Sequence, residues 1–307
     1  LVVAIVGPTA SGKTTLGIEL AKKFNAQIVC CDSRTIYRFM DIGTAKPTVT
    51  EQQGIAHHLL DIVEPDQTYT VAQYANDAAR PIAAIHDADA LPIVCGGTGL
   101  YFKAALEGLK IPEIPPDPML RQSLNDLAEH GGNLVLHTQL TKLDPVSAAR
   151  IHINDRFRLV RALEVSLVSG VPFSQMANTN PSAYNILWIG LNVEDRSFLQ
   201  TRIRERLSEQ IKLGLLTEVR VLYERYGDSC NVLMNTINYS EFIPFLNGEI
   251  TQVAAEEMCL KNNYQLARRQ LMWFKRNKDI HWFYIDKQDP EAIFHGAAKL
   301  VEAKLQI

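Results

Sequence analysis

The eight residues Gly7-Pro8-Thr9-Ala10-Ser11-Gly12-Lys13-Thr14 constrain this chain more than any other feature. They follow the apolar run Leu1 to Val6, which reads as a buried strand, and precede Leu16, Leu20, Ala21 and Phe24, which recur at helical spacing. A G-x-x-x-x-G-K-[ST] loop needs that setting, and the register between strand and helix argues against a chance match in a solvent loop. The loop residues Gly7, Thr9, Ala10, Ser11 and Gly12 let backbone N–H groups converge on an anion, and the helix N-terminus adds partial positive charge. Lys13 neutralises terminal phosphate oxygens and the Thr14 hydroxyl reaches a Mg²⁺, so a di- or triphosphate with magnesium is expected.

The rest of the N-terminal third alternates β-branched runs with helical patterns, which predicts a doubly wound parallel sheet. Gln27 to Cys30 reads as a second strand, Val71 to Ala88 as a helix, and Ile93 to Cys95 as a third strand stopped by Gly96-Gly97. Four prolines between Pro112 and Pro118 mark a linker. Beyond it only helical patterns occur, over Asp117 to Gly131, Leu134 to Leu140, Val146 to Ile151 and Asp155 to Ser169. A second breaker cluster, Gly170-Val171-Pro172 with Asn178-Thr179-Asn180-Pro181, closes that segment. Strand character returns at Ile186 to Leu191, and helices at Asp195 to Lys212, Leu215 to Tyr226 and Thr251 to Arg276 lead to a strand at His281 to Ile285 and a closing helix. The fold class is therefore α/β, a P-loop NTPase-like doubly wound parallel sheet over 1–112 and 181–307 with an all-helical insertion domain over 113–180.

At 47% hydrophobic and 21% charged, the 307 residues are those of a globular chain, and no apolar run has the roughly 18 residues of a membrane span. The opening LVVAIVG carries no basic n-region, so nothing in it marks export, and a trimmed native N-terminus is expected before Leu1. Five cysteines, at 30, 31, 95, 230 and 259, show no zinc spacing and read as reduced packing thiols of a cytoplasmic protein. A net charge of -3 argues against non-specific coating of nucleic acid and leaves room for a local basic face.

An NTPase of this class would carry an acidic residue on a later strand end, to hold metal while the γ-phosphate is attacked. The third strand instead ends Cys95-Gly96-Gly97-Thr98-Gly99, a glycine-rich turn that suits close approach of a substrate. The second strand ends in Cys31-Asp32-Ser33-Arg34. Because binding crevices of open α/β sheets lie at carboxyl strand ends, Asp32, Thr98 and the loop should converge on one site. Asp32 is a candidate general base, with a helix N-cap or a metal ligand as the alternatives.

Taken with GPTASGKT, six further blocks make the chain resemble the tRNA dimethylallyltransferases nearly end to end. They are DSRTIYRFMDIGTAKP from 32, HHLLDIVEP from 57, GGTGLYFKA from 97, RIHINDRFRLVRALEV from 150, GLLTEV from 214 and LARRQLMWFKR from 266. The resemblance implies transfer of a dimethylallyl group from dimethylallyl diphosphate to N6 of an adenosine next to the anticodon, with Mg²⁺ and without ATP. It implies that Lys13, the loop amides and Arg268 or Arg269 bind the diphosphate, that Asp32 accepts or orients the N6 proton, and that Thr98 aligns the reactants. Asp32, Ser33, Arg34, Thr35 and Thr98 would touch the flipped-out adenosine, and Arg121, Phe157, Arg158 and Arg161 the rest of the tRNA anticodon stem-loop. A bacterial-type enzyme without the eukaryotic C-terminal zinc finger, monomeric and away from membranes, is expected.

Six basic residues and no acid between Lys261 and Lys278 read either as a phosphate-facing strip or as a solvated helix face. The adjacent His57 and His58 read as a folded turn beside the sheet rather than a metal site. Thr35 stands where the family usually has glutamine, Asn263-Tyr264-Gln265 where it has Thr-Arg-Gln, Asn235-Thr236-Ile237-Asn238-Tyr239 where Ile-Gly-Tyr is usual, and Ile153 where proline is common. Three other functions share the loop: an adenylate dimethylallyltransferase acting on free AMP, ADP or ATP, a non-catalytic tRNA-binding paralogue, and a small-metabolite kinase. The helical insertion favours tRNA over a free nucleotide, and retention of Lys13, Thr14, Asp32 and Thr98 favours turnover.

Overall fold

A computed structural model describes residues 1–176 and 180–306. Asn178 and Thr179 of the second breaker cluster lie outside the described residues. The chain divides into two units, Leu1–Ala105 with Tyr184–Ile307, and Leu106–Ala183. These boundaries fall a few residues outside the 113–180 span drawn from the breaker clusters alone.

The first unit begins with β1 (Val2–Val6), α1 (Lys13–Lys23), β2 (Ala26–Cys31), the single-turn α2 (Val49–Gln52), β3 (His57–His58), α3 (Val71–Asp87), β4 (Leu91–Gly96) and α4 (Gly99–Leu106). The second unit carries α5 (Pro118–Gly131), α6 (Asn133–Leu143), α7 (Pro145–Arg150), α8 (Arg156–Ser169) and the short α9 (Phe173–Met176). The first unit resumes with β5 (Ile186–Asn192), α10 (Arg196–Lys212), α11 (Leu215–Tyr226), α12 (Asn231–Met234), α13 (Phe242–Leu246), α14 (Gln252–Phe274), β6 (His281–Tyr284) and α15 (Pro290–Leu305).

Six parallel strands run in the order β3-β2-β4-β1-β5-β6. Every residue of β1 is fully buried, as expected of a central strand covered on both faces. Val3, Ile5, Ile28, Ile93 and Ile189 pack with Leu16 and Leu20 of α1 and Ile293, Ala297 and Val301 of α15. A second apolar cluster joins Ile36, Tyr37 and Met40, which follow β2, to Val219 and Leu222 of α11, Phe242 of α13 and Cys259 of α14. That packing holds the long connection after β2 beside the carboxyl end of the sheet.

His57 and His58 form an edge strand paired with Ile28 and Val29, where the sequence alone suggests a turn. Two residues are too few for period-two alternation to register. The helix α4 is likewise hidden in sequence, because its start overlaps the glycine-rich turn. No helix among the described residues is long and apolar enough to cross a membrane.

The second unit has its own core, in which Leu124 and Ala128 of α5, Leu136 and Leu140 of α6 and Leu159, Ala162 and Leu163 of α8 are buried. Three of its helices, α5, α7 and α8, start where the sequence places capping side chains: Asp117, Asp144 and Asp155 each accept a backbone N–H of the first turn.

Candidate active site

The first turn of α1 differs from those helix starts. Its N-cap is Gly12, at φ 88°, with no side-chain cap and no acidic residue in the first turn. Free N–H groups and the positive end of the helix dipole therefore face the loop, an arrangement suited to an anion. Gly7 is at φ 153° and a Cβ there would stand 2.7 Å from the Leu191 carbonyl, so only glycine lets the loop leave β1 this close to β5. Lys13 Nζ donates to the Pro8 carbonyl at 2.6 Å. Burial lowers its pKa to about 8; the nearby Cys95 and Asp32 oppose that shift and Arg206 adds to it.

Arg206, from α10, donates to Thr9 Oγ1 at 3.0 Å and to the Thr44 carbonyl at 3.3 Å. No acidic side chain among the described residues forms an ion pair with it, and burial lowers its pKa despite the attraction of Asp32. A desolvated guanidinium beside a phosphate-type loop is a strong pointer to an anionic ligand. Arg202 Nε donates to the Ala10 carbonyl at 2.7 Å and steadies the same loop. Ser11 Oγ is buried without a protein partner.

The loop opens on a cavity of about 440 Å³ whose lining includes Thr9, Lys13, Thr14, Asp32, Thr98 and Arg206. Pairing of Cys31 with Gly96 sets the ends of β2 and β4 side by side, and the residues after them meet. Thr98 Oγ1 accepts the Ser33 amide at 3.0 Å, and the Thr98 amide donates to the Cys31 carbonyl at 3.2 Å. Asp32 Oδ1 accepts the Arg34 amide at 2.8 Å. No donor among the described residues hydrogen-bonds Asp32 Oδ2. Asp32 caps this turn and not a helix, with one oxygen committed to the turn and the side chain lining the cavity.

Gly96 and Gly97 line the cavity, and the protein's own packing also demands the glycines at the end of β4 and in the turn that follows. A Cβ at Gly96 would lie 2.0 Å from the Cys31 carbonyl, at Gly97 2.3 Å from Gln270 Nε2, and at Gly99 2.1 Å from Trp273 Cδ1. Gln270 and Trp273 stand three residues apart on α14 and so share the face that meets this turn.

Ser33, Arg34, Thr35 and Arg269 also line the cavity, whereas Arg268 is exposed and is not among its lining residues. Thr35 is 8% exposed and its hydroxyl has no protein partner. Asn238 takes φ 74°, a conformation asparagine tolerates better than most residues. Its amide donates to the Gly43 carbonyl at 2.9 Å and its Oδ1 accepts from Asn263 Nδ2 at 2.7 Å, so two of the departures from the family pattern touch each other. Tyr264 packs against a small cluster containing Val193, Leu199, Ile203 and Ala10. Glu218, in the GLLTEV block, accepts the amides of Asp41, Ile42 and Gly43 and the Tyr239 hydroxyl, fixing the loop that brings Gly43 and Thr44 to the cavity. Arg206, Gln270, Asn238 and Asn263 are missed as site residues by sequence; Arg206 carries no local signal in a helix with several other arginines.

The histidines make local contacts, His57 Nδ1 with the Ile55 carbonyl at 2.9 Å and His58 Nε2 with Gln27 Oε1 at 2.8 Å. Burial lowers both pKa values. Among the described residues no group of three or more His, Cys, Asp or Glu is placed to hold a metal ion. All five cysteines are free, and burial pushes Cys95 up to about 11 and Cys30 and Cys31 well above the usual thiol value.

In the second unit, Arg121 Nε and Nη2 donate to the two oxygens of Glu164 at 2.8 and 2.9 Å, and Arg161 Nη1 donates to Glu164 Oε2 at 2.6 Å. Glu164 is 0% exposed. Arg161 also donates to the Pro112 and Ile114 carbonyls. Both arginines, assigned by resemblance to RNA contact, thus pair with Glu164 inside the helical unit while their side chains stay partly exposed, at 33% and 23%. Phe157, 78% exposed, and the Arg158 side chain, 64% exposed, are the outward members of that set.

A family model described as IPP transferase matches residues 35–277. A tRNA dimethylallyltransferase of Shouchella clausii is 43% identical over 294 residues, covering 94% of this chain and 93% of that protein. One from Acaryochloris marina is 41% identical over 287 residues, covering 94% and 93%. The crystal structure of the full-length tRNA isopentenylpyrophosphate transferase from Bacillus halodurans superposes with a TM-score of 0.71 at 37% identity, over 99% of this chain and 98% of that one. A eukaryotic dimethylallyltransferase acting on tRNA gives 0.76 at 26% identity, over 92% of this chain and 73% of the other. The phosphate cradle, the paired strand ends and these likenesses agree, and the chain belongs to the IPP transferase family.

Proposed function

We propose that the chain transfers a dimethylallyl group from dimethylallyl diphosphate to N6 of the adenosine next to the anticodon of tRNA, in the cytoplasm. The observation that carries this reading is the sharing of one cavity by an uncapped helix N-terminus with Lys13 and Arg206 and by a carboxylate oxygen, Asp32 Oδ2, that no donor among the described residues occupies. One side suits a diphosphate and the other a nucleophile that must lose a proton.

In the transfer, the donor C1–O bond breaks, the electron pair leaves with the diphosphate, and N6 forms the new bond to C1. The loop amides other than that of Thr9, which Gln270 accepts, together with Lys13 and Arg206 stabilise the departing charge, and Arg269 adds a further cation at the cavity. Asp32 Oδ2 accepts the proton that N6 loses, and Thr98 holds the Asp32–Ser33 turn in place. Ser33, Arg34 and Thr35 stand on the acceptor side, and the buried Thr35 hydroxyl is a ready partner for a base edge. Extrusion of the adenine follows from the cavity's position at the strand ends, which a stacked base does not reach. Exposed Phe157 and Arg158 offer stacking and phosphate contact to the anticodon stem-loop.

The donor set is one hydroxyl, Thr14, and one carboxylate, Asp32, in the same cavity. This fits a Mg²⁺ held chiefly by diphosphate oxygens and water, and does not fit an all-protein site. Bound there, Mg²⁺ would supply charge neutralisation for the leaving group.

Incubating the protein with labelled dimethylallyl diphosphate, Mg²⁺ and, in parallel, unmodified tRNA, AMP or ATP tests the reading. Label in tRNA alone is expected; label in the free nucleotides alone would move the protein to cytokinin-type synthesis, and label nowhere would support the non-catalytic alternative.

A further inference from the structure

Gln270 on α14 touches both halves of the cavity. Its Oε1 accepts the Thr9 amide of the phosphate loop at 2.8 Å, and its Nε2 donates to the Gly97 carbonyl at 3.1 Å. The orientation of the amide is fixed by chemistry: a backbone N–H needs the oxygen and a carbonyl needs the nitrogen. The contact continues through Gly97 to Thr98, whose hydroxyl holds the Ser33 amide next to Asp32. One side chain thereby links the diphosphate cradle to the turn that carries the candidate base. The closeness of this contact is what excludes a Cβ at Gly97.

We infer that Gln270 is a positioning residue that sets the distance and alignment between the donor C1 and the acceptor N6. The inference rests on the prenyl-transfer reading above. Gln270 consumes the Thr9 amide, so it does not add a donor for the diphosphate; its effect falls on geometry. Nucleophilic displacement at C1 is sensitive to alignment, and a misplacement of about 1 Å costs on the order of 100-fold in rate. A misaligned acceptor also leaves the activated allylic carbon open to water. In that side reaction the C1–O bond of the donor breaks, a water oxygen bonds to C1, diphosphate leaves, and the proton passes to solvent, giving dimethylallyl alcohol.

The test uses Gln270→Met, which preserves length and removes both hydrogen bonds, and Gln270→Glu, which keeps the acceptor for Thr9 and loses the donor for Gly97. Single-turnover transfer to tRNA is measured at saturating donor, together with the donor Kd, the tRNA Kd and the ratio of prenyl alcohol to prenylated tRNA. Gln270→Met is expected to lower the transfer rate about 10- to 100-fold with both Kd values within about threefold of the parent, and to raise the alcohol fraction. Gln270→Glu should raise that fraction as well. A simple loss of folded protein would reduce both products equally, so an unchanged ratio in both variants, with or without a lower rate, overturns the inference. If the parent itself transfers no prenyl group to tRNA, the functional reading fails and this inference falls with it.

Discussion

The Thr98 hydroxyl accepts the Ser33 amide at 3.0 Å, which makes the end of β4 the clamp on the turn after β2. That turn carries Asp32, whose Oδ1 is already committed to the Arg34 amide. Asp32→Asn keeps an oxygen for that bond and removes the proposed base. Its single-turnover transfer rate should fall by about 100-fold or more, with tRNA affinity and thermal stability close to the parent's. A rate within a few-fold of the parent would remove Asp32 from proton transfer.

Lys13 gives a pH signature. Burial lowers its pKa to about 8, with Cys95 and Asp32 opposing the shift. A bound diphosphate adds negative charge and raises that pKa, so above about pH 8 donor binding must take up a proton. Donor affinity should therefore be level just below pH 8 and weaken about tenfold per pH unit above it. Lys13→Arg should abolish the break, since guanidinium keeps its charge. For folding, the depressed pKa means that charged Lys13 is a cost below about pH 8, relieved as pH rises from there towards the ordinary value of 10.5. Calorimetric titration of donor across this range, in two buffers of different ionisation enthalpy, measures the proton uptake.

Arg206→Met should weaken donor binding by about 2 kcal/mol or more, because the half-buried guanidinium has no acidic partner of its own among the described residues. The ligand-free protein should lose little stability and the tRNA affinity should hold. Equal donor affinity in mutant and parent would assign Arg206 to bracing Thr9 and Thr44 alone.

Much of this architecture is legible in sequence because strand, loop and helix are contiguous in it. The phosphate loop, Asp32 and Thr98 stand at positions that a parallel sheet must bring to one edge. What is hidden depends on long-range packing. Gln270 and Arg206 meet Thr9 only after α10 and α14 have folded back over the loop, and nothing within their own helices marks them. The glycines at 96, 97 and 99 are visible, but the Cys31 carbonyl, Gln270 and Trp273 that demand them are not. The same holds for Arg121 and Arg161: their motif points to RNA, and only the fold reveals the buried Glu164 between them.

That triad separates two arginines that sequence treats alike. Arg158→Ala should weaken tRNA binding and flatten its salt dependence, since its side chain is 64% exposed. Arg161→Ala should act on the helical unit's stability. Burial would raise the Glu164 pKa, but Arg121, Arg161 and the Asp117 amide outweigh it and hold the carboxyl below its ordinary 4.5. A depressed pKa gives stabilisation that is present above 4.5 and is lost as pH falls through the folded-state value. Glu164→Gln, which leaves two half-buried arginines without their counter-ion, should cost about 2–3 kcal/mol in denaturant unfolding, less than a fully buried pair because both arginines keep some solvent. Parent-like unfolding of Glu164→Gln would contradict the structural role.

Asn238 and Asn263 should be energetically coupled. Reverting either alone, Asn238→Gly or Asn263→Thr, breaks the 2.7 Å bond and leaves the other amide with its backbone partner, the Cys259 carbonyl for Asn263 or the Gly43 carbonyl for Asn238, whereas the double change removes both side chains. A double-mutant cycle on thermal stability should give a coupling energy of about 1 kcal/mol. Additive effects would make the two departures independent.

The most direct measurement is the identity of the prenylated product. After incubation with dimethylallyl diphosphate, Mg²⁺ and unmodified tRNA, the RNA is digested and the anticodon-loop fragment is analysed by mass spectrometry, with Asp32→Asn in parallel. One dimethylallyl group on the adenosine beside the anticodon is expected with the parent protein, and about a hundredth of that rate with the variant. Unmodified tRNA with the parent, or equal modification by both proteins, would contradict this expectation.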